Sequence, residues 1–599
     1  MPDAVLIFTF SPVQSFIAEA RRTSDLYVGS QILVKLARAA AFVMQQQGSL
    51  IYPATLGDDL ANDVPNKLVA CVAWEEAEAV AEKAKEALLS EWSHIAGTAK
   101  SRLKNRDPLL DGIWTRQVSH QWEIYWAAAS MGNRTYGEAY KEASQAMDGA
   151  KHTRLFNASE EQGMKDTLSG CREALRTTAL NARDFWAEIG KQLTQAKLRP
   201  DGRERLDAIG AIKRFSDIAE ERRFPSTSTI ATRPFLRSAR EHKDLLLAYE
   251  QALKELLGIC LYTPHPQDPD WPYDGDLLFM ETLTAQRLKS SYGIPTLSEE
   301  RLQAAQKALG TIYHVTSQPS PYYALIALDG DGMGERIDNC LGEPEPEKAH
   351  KDLSQKLALF ASRVRQIVES YQGEVIYNGG DDVLALAPLQ SAVSMAAGLA
   401  AEFNQVTGGT ASSGLAIVHH LYPLDAALPA AREAESYAKK IEDKAKAALC
   451  VRAIKRSGEV LDVRSSWEPF LHEGERLEYV PPVQEKRQIW LNAGGVFAPL
   501  VRAFQDGSLS SRFAYEVANE ARIVDALADN RAHAATLRRL VRRHKTDKLQ
   551  EPPSLSEALQ TWAEGLAGCV AKDKASEGGL TELARWLILA RFVAQEESE

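Results

Sequence analysis

Cysteine is scarce in this 599-residue chain and never paired: Cys71, Cys171, Cys260, Cys340, Cys450 and Cys569 stand apart, with no CxxC among them. That spacing excludes a disulfide framework and a four-cysteine zinc site, and it fits a reduced compartment. No apolar run approaches the ~20 residues a membrane span needs, and the opening MPDAVLIFTFSPVQ lacks a basic leader, so a cytoplasmic protein with no membrane partner is expected. Positive charge is also in short supply. With 70 Lys and Arg against 81 Asp and Glu the net charge is −11, which argues against a chain that coats nucleic acid all over yet leaves room for local basic faces. What remains is ordinary globular composition, 45% hydrophobic and 25% charged, at a length that suggests about four domains.

The most informative stretch runs from Tyr323 to Leu386. It begins ALIALDGDGMGERID, passes through residues with helix periodicity from Glu347 to Tyr371, and ends GEVIYNGGDDVLAL. Ala324 to Leu328 reads as a strand buried on both faces, which puts Asp329 and Asp331 where the strand reaches the edge of its sheet. Val375 to Tyr377 and Val383 to Ala387 read as hairpin arms around Asn378-Gly379-Gly380-Asp381, a turn that needs positive φ and close backbone approach. Either motif alone reads as an ordinary Asp/Gly turn. Together, each at the end of a buried strand, they imply that Asp329, Asp331, Asp381 and Asp382 converge. Four carboxylates in one place repel unless some protonate or a cation neutralises them. Hard oxygen ligands beside a glycine turn suit Mg²⁺ or Mn²⁺ holding a triphosphate, as in two-metal nucleotidyl transfer. An EF-hand starting at Asp329 fails, because Met333 and Cys340 stand where oxygen ligands are needed, and the Gly-Lys-Ser/Thr ending of a P-loop is missing.

This pair of motifs resembles the palm of nucleotidyl cyclases and GGDEF-type diguanylate cyclases. Asp382-Val383 departs from the GGDEF pattern, and Tyr371 to Asn378 lacks the Arg of its inhibitory motif. The closer resemblance is to the large polymerase-like subunit of type III CRISPR-Cas effector complexes, in particular the type III-B form. FSPVQSFIAEARRTSDLYVGS and VPNKL are similar to the first, degenerate palm of that family, FPSTSTIA is another of its phrases, and KRSGE closes its second palm. The resemblance implies ATP as substrate and cyclic oligoadenylate as product, with other effector subunits, crRNA and target RNA as partners. Asp329, Asp381 and Asp382 would ligate metal with Asp331 assisting, Asp381 and Asp382 being the catalytic pair. Gly330, Gly379 and Gly380 would let the backbone approach nucleotide, and Lys439 would face phosphate. His350 and Ser354 match another pair of the family, though a lone His on such a helix is more often structural. Many members carry an HD nuclease, but no His-Asp dipeptide occurs here, so no such activity is expected. Zinc is expected to be absent as well, since Asp166, Ser169, Asp207 and Gly210 stand where the family places four cysteines.

The chain in order fits this frame. Ala4 to Phe10 reads as a strand, Val13 to about Gln47 as a helix with a break near Gly29, Leu50 and Leu68 to Ala73 as a strand pair, Glu75 to Ser93 as a helix and Trp122 onward as a strand. That β-α-β-β-α-β order is a ferredoxin-like palm. Arg21, Arg22 and Asp25 fall on its first helix and read equally as a solvated face. The last segment is helical, and in RAHAATLRRLVRRHK the stripe Leu537, Leu540, Val541 lies opposite Arg538, Arg539, Arg542 and Arg543, a face for RNA phosphates or an acidic partner subunit. The expected architecture is an α/β (α+β) multidomain protein. A first ferredoxin-like palm covers 1–131, a mostly helical insertion 132–315, a second palm 316–460 and a helical C-terminal domain 461–599. Left open are a scaffold whose palm binds nucleotide without turnover and a palm that makes a different AMP conjugate.

Overall fold

A computed structural model describes residues 3–56, 64–104, 106–153, 161–192, 198, 201–264, 271–294, 296–440, 447–467, 470, 496–527, 529–546, 554–567 and 578–596. The first palm is a four-stranded antiparallel sheet of order β2-β3-β1-β4, with β1 Ala4–Ser11, β2 Ser49–Tyr52, β3 Lys67–Val72 and β4 Glu123–Ser130. Helices Thr23–Gln47 and Ala77–Arg102 complete the ferredoxin-like pattern. The first helical stretch is interrupted between Ala18 and Thr23, not at Gly29, which lies inside the longer helix against Lys213 and Ile17.

Thr23–Gln47 is also long and apolar enough to cross a membrane, contrary to the expectation that no such run exists. Its most apolar window is 67% buried within the protein, because it packs against the Ala77–Arg102 helix and its own sheet on one side and the second palm on the other. Ser30 Oγ, for example, donates to the carbonyl of Ile376 at 2.5 Å. A helix covered on two sides has little need of a polar face.

The second palm is built on a six-stranded sheet of order β10-β9-β8-β5-β7-β6. Its strands are β5 Tyr322–Gly330, β6 Glu374–Asn378, β7 Asp382–Pro388, β8 Ala411–His419, β9 Ala448–Ile454 and β10 Val460–Ser466. β5 lies between β7 and β8, antiparallel to both, and β9 joins β8 in parallel after the Leu424–Ala438 helix. β10 extends the sheet past residue 460, where the palm was expected to end; its exposed, partly polar start hides it from a hydrophobicity reading. Pro346–Ser370 and Ala392–Thr407 cover one face of this sheet, and their apolar side chains merge with the C-terminal helices in a single core. The other face shares a core with the first palm and with residues 168–231 of the insertion.

Two palm–palm contacts come from residues of the Pro346–Ser370 helix. Ser354 Oγ accepts from Ala54 N at 2.8 Å, and Tyr136 Oη bonds His350 Nδ1 at 2.9 Å. Burial, with the Lys67 charge adding to it, lowers the His350 pKa to about 4, which keeps the ring neutral. In the insertion, the positions expected to have lost zinc ligands do come together. Asp166 accepts from Leu168 N, Ser169 N and Ser169 Oγ, each at 2.7 Å, while Arg172 joins Asp207 to Glu19. A guanidinium between two carboxylates thus cross-links these turns.

Candidate functional site

β5 is buried along nearly its whole length, so its first polar side chain at the sheet edge is Asp329. In register, Asp329 sits opposite Asp382 on β7 and Ser412 on β8. The β6–β7 turn closes against it: Gly330 N donates to Asp381 O at 3.0 Å and Gly379 N to Asp382 O at 2.8 Å. Gly380 has φ +98, a conformation that needs glycine. A Cβ on Gly330 would lie 2.8 Å from the Phe403 ring and 3.2 Å from Asp381 Cβ, so the two backbones meet only because that side chain is missing. The structure therefore brings Asp329, Asp381, Asp382 and the three glycines to one corner.

Charge in this corner is unbalanced. Burial first and the Asp329 charge second push Asp381 up to about 6. Asp382 is pushed up to about 7 by burial, with Asp329, Asp381 and Glu435 adding to it against the opposing pull of Arg432. Both side chains keep some solvent contact, yet the protein walls desolvate them. Lys439 supplies the local cation. It follows the Leu424–Ala438 helix, which returns antiparallel to β8 toward the corner, and its ammonium pairs with Asp329 and, at 2.9 Å, with Glu435. The first palm contributes Tyr52, half-buried, whose hydroxyl lies beside Gly380 and whose pKa is raised by burial and then by the Asp381 charge.

Asp331 is set apart from the other three aspartates by its hydrogen bonds. Gly332 adopts φ +62, which turns the chain away after β5. The buried Asp331 carboxylate accepts from Ser412 Oγ at 2.8 Å, Thr410 Oγ1 at 2.9 Å and Ala447 N at 2.8 Å. With three of its acceptor sites taken by these donors, it ties β5 to β8 and to the start of β9.

The remaining expectations divide. Ser226 caps the Thr227–Ala239 helix, while Thr227 Oγ1 donates to His420 O and Ser228 Oγ bonds His420 Nδ1, both at 2.8 Å; these hydroxyls join insertion to palm. Arg22 pairs with Glu204 at 2.7 Å and Asp25 with Arg214 at 2.7 Å. On the Asn530–His544 helix Leu537, Leu540 and Val541 are buried and the four arginines exposed, but Arg539 is paired with Glu520 and Arg543 with Glu516 at 3.3 Å. Arg538 and Arg542 carry no ion pair among the described residues. AREAESYAKKIEDKAKAAL, residues 431–449, reads from sequence as one amphipathic helix; the structure ends the helix at Ala438, and 441–446 lie outside the described residues.

Three features escaped sequence reasoning. Tyr52 and Glu435 have no local signal, since they reach the corner only through the fold. The third is a group formed by Glu281, His419 and His420. Among the described residues, it is this group, and not the aspartate corner, that brings three ligand-type side chains within 4.8 Å of one another. Its bonding is that of a latch. His420 and His419 Nε2 lie 2.9 and 3.0 Å from Glu281 Oε1, Arg456 holds Oε2, and Leu421 N donates to His419 Nδ1 at 3.2 Å. That last bond keeps the proton on His419 Nε2, where a metal would need a lone pair.

Comparison with known proteins agrees with this geometry. Residues 5–97 match the N-terminal domain of the CRISPR-associated protein Cmr2, and residues 322–448 match the second palm domain of Cas10/Cmr2. The CRISPR system Cmr subunit Cmr2 of Pyrococcus furiosus is 25% identical over 545 residues, a match covering 76% of this chain and 62% of that protein. The chain thus spans a little under two thirds of this curated relative's length. Two solved structures of type III-B Cmr-beta share the fold. The form bound to cognate target RNA matches with a TM-score of 0.66 at 12% identity, over 99% of this chain and 83% of the other. The apo state gives 0.66 at 13% identity, over 98% and 82%. Both matched regions fall in order on the two ferredoxin-like palms of the structure, so over these palms the chain is similar to the Cmr2/Cas10 large subunits of type III-B complexes.

Proposed function

We propose that this chain is the large subunit of an RNA-guided effector complex whose second palm converts ATP to cyclic oligoadenylates when target RNA binds. The observation that carries the proposal is the corner itself: Asp329, Asp381 and Asp382 at one sheet edge, beside a glycine turn, with one lysine against three carboxylates. The raised pKa values of Asp381 and Asp382 come first from burial and then from neighbouring carboxylates, and the Asp329–Lys439 pair puts a cation in the corner. The donor set, all carboxylate oxygen, fits Mg²⁺ or Mn²⁺. Asp329, Asp381 and Asp382 would hold these ions, which supply Lewis-acid stabilisation of phosphoryl chemistry and a more acidic 3′-hydroxyl.

The chain's own residues set the rest. Gly330, Gly379 and Gly380 would let the backbone of the corner come close to a ligand, the N–H groups of Gly330 and Gly379 being used to close the turn on the carbonyls of Asp381 and Asp382. Lys439, which pairs with Asp329 and Glu435, lies in the same corner and would be placed to meet phosphate. Tyr52 brings the first palm to the turn, so nucleotide held there would touch both palms. No separate side-chain base is evident among the described residues, and Asp381 and Asp382 must lose their protons before they ligate.

The test is to assemble the chain with its partner subunits and guide RNA, add target RNA, Mg²⁺ and ATP, and identify the products by mass. Cyclic oligoadenylate from wild type and none from Asp381→Ala/Asp382→Ala supports the proposal. Bound nucleotide without product would identify a scaffold, and the mass of a mixed adduct a different AMP transferase.

A further inference from the structure

A recess of about 820 Å³ opens between the first palm, the insertion and the second palm. It is not the aspartate corner. Its palm wall is the loop after β8, starting at His420, next to His419, which pairs with Tyr322 at the beginning of β5. The corner lies at Asp329, at the other end of that strand and about 24 Å away for seven antiparallel residues.

The lining is strongly basic for a chain of net charge −11, with eight Lys or Arg side chains against four carboxylates. Several of these cations are committed. Arg22 and Arg214 share Glu204, Arg222 is paired with Glu374, and Lys213 donates to the carbonyl of Glu19 at 2.8 Å. Others remain available to a ligand. Arg21 is exposed, Arg223 is exposed with one N–H donating to Thr263 O at 2.7 Å, the exposed Arg203 pairs with half-buried Asp201 at 3.3 Å, and Arg287 has a buried Nε with no partner among the described residues. Ser291, also in the lining, has a buried hydroxyl without a partner.

Backbone dipoles add to these charges. Three helices begin at the recess: Thr23–Gln47, Thr227–Ala239 and Leu424–Ala438, of 25, 13 and 15 residues, each with its first residues in the lining. Helix N-termini carry partial positive charge and free N–H groups, so three converging on a basic recess favour anionic oxygen. The volume exceeds what one phosphate needs and lies in the range of nucleotide-sized sites.

We infer that this recess is a second anion site that binds a ligand carrying several phosphates, independent of the aspartate corner and of divalent cations. Its source is either a free polyphosphate such as a nucleoside triphosphate or the backbone of a single-stranded nucleic acid. Tyr262 and Tyr422, both half-buried in the lining, offer faces to a base in either case.

The test uses the full-length chain in EDTA, where mutually repelling carboxylates cannot hold nucleotide at the corner. Three probes are titrated: inorganic triphosphate, ATP and a fluorescent single-stranded ten-nucleotide RNA. The expected result is saturable binding of at least one probe that weakens with salt. Arg21→Glu/Arg203→Glu/Arg223→Glu should weaken it tenfold or more, the same three residues changed to Lys should largely preserve it, and Asp381→Ala/Asp382→Ala should leave it within twofold. Tighter triphosphate or ATP binding would name the free polyphosphate as source, and tighter RNA binding the nucleic acid. Failure of all three probes to bind wild type, or equal binding by the folded glutamate variant, would overturn the inference. So would loss of binding in the aspartate variant.

Discussion

The two palms share one strand order and opposite corner chemistry. In the second, β5 delivers Asp329, β7 opens with Asp382, and the turn between β6 and β7 is pinched by two glycines. In the first, β1 ends at Ser11 and β3 opens with Lys67. There Asn66 donates to Phe10 O at 3.3 Å, and Lys67 reaches Tyr140 Oη at 3.1 Å. Among the described residues, the charges of that corner, Lys67 and Glu123, have the hydroxyls of Tyr140 and Ser11 as companions. The fold thus fixes where a corner lies, and charge decides what it can do. Among the described residues, the second palm's corner is the one whose carboxylates are raised by burial and mutual repulsion, the pattern expected of a functional site.

The largest effect expected from this contrast is on turnover. Asp381→Ala/Asp382→Ala should lower product formation by the assembled complex roughly a thousandfold or more, while Asn66→Ala/Lys67→Ala in the other palm should cost no more than about tenfold. Equal losses from the two corners, measured as initial rates by product mass, would erase the distinction.

Next comes Asp331. As a strut between β5, β8 and Ala447, its replacement by Ala should destabilise the chain by about 2–4 kcal/mol in urea unfolding, because three donors lose their acceptor. A variant of unchanged stability with lost activity would return Asp331 to the metal set.

A smaller effect, with a diagnostic sign, concerns pH. Asp381 and Asp382 are raised to about 6 and about 7, above the ~3.9 of an unfolded Asp, so the folded chain binds more protons than the unfolded one between about pH 4 and 7. Their contribution to stability is therefore present at low pH and is lost as pH rises through that window. Asp382→Asn should match wild type near pH 4 and exceed it at pH 8 by roughly 1–3 kcal/mol in EDTA, with catalysis lost. Lys67→Met in the first palm should show no such crossover. An Asn variant less stable than wild type at pH 8 would contradict the charge account.

The smallest effect lies on the C-terminal helix. Arg538→Glu/Arg542→Glu should change stability by no more than about 0.5 kcal/mol, since both are exposed and neither carries an ion pair among the described residues. If that face meets RNA in the assembled complex, the double variant should flatten the salt dependence of RNA affinity by roughly one in the logarithmic slope per arginine. An unchanged slope would leave the face to solvent.

The corner was legible because its signals are local. A buried apolar run ending in Asp and a Gly-Gly turn between β-rich arms each announce their backbone geometry within a few residues. The bonding of Asp331 was not legible, for a reason equally local but harder to see. Two residues past Asp329 it would share a face on a straight strand, but the left-handed Gly332 ends the strand and sends its carboxylate to β8. Lys439 was recognisable only through family resemblance, since a lysine after an amphipathic helix is usually solvated. Tyr52 and the Glu281 latch depend on contacts across hundreds of residues and leave no periodic trace. β10 was missed because its outer half is exposed, and the apolar character of Thr23–Gln47 because its window includes scattered polar residues.

The most direct measurement is the anomalous-scattering map of crystals of the chain grown with Mn²⁺ and a non-hydrolysable ATP analogue. Manganese within about 2.1–2.3 Å of Asp329 and of Asp381 or Asp382 oxygens, with Lys439 turned from Asp329 to phosphate, is the predicted result. Manganese held instead by Glu281, His419 and His420, or a corner in which the Asp329–Lys439 pair persists with no metal peak beside it, would contradict the account.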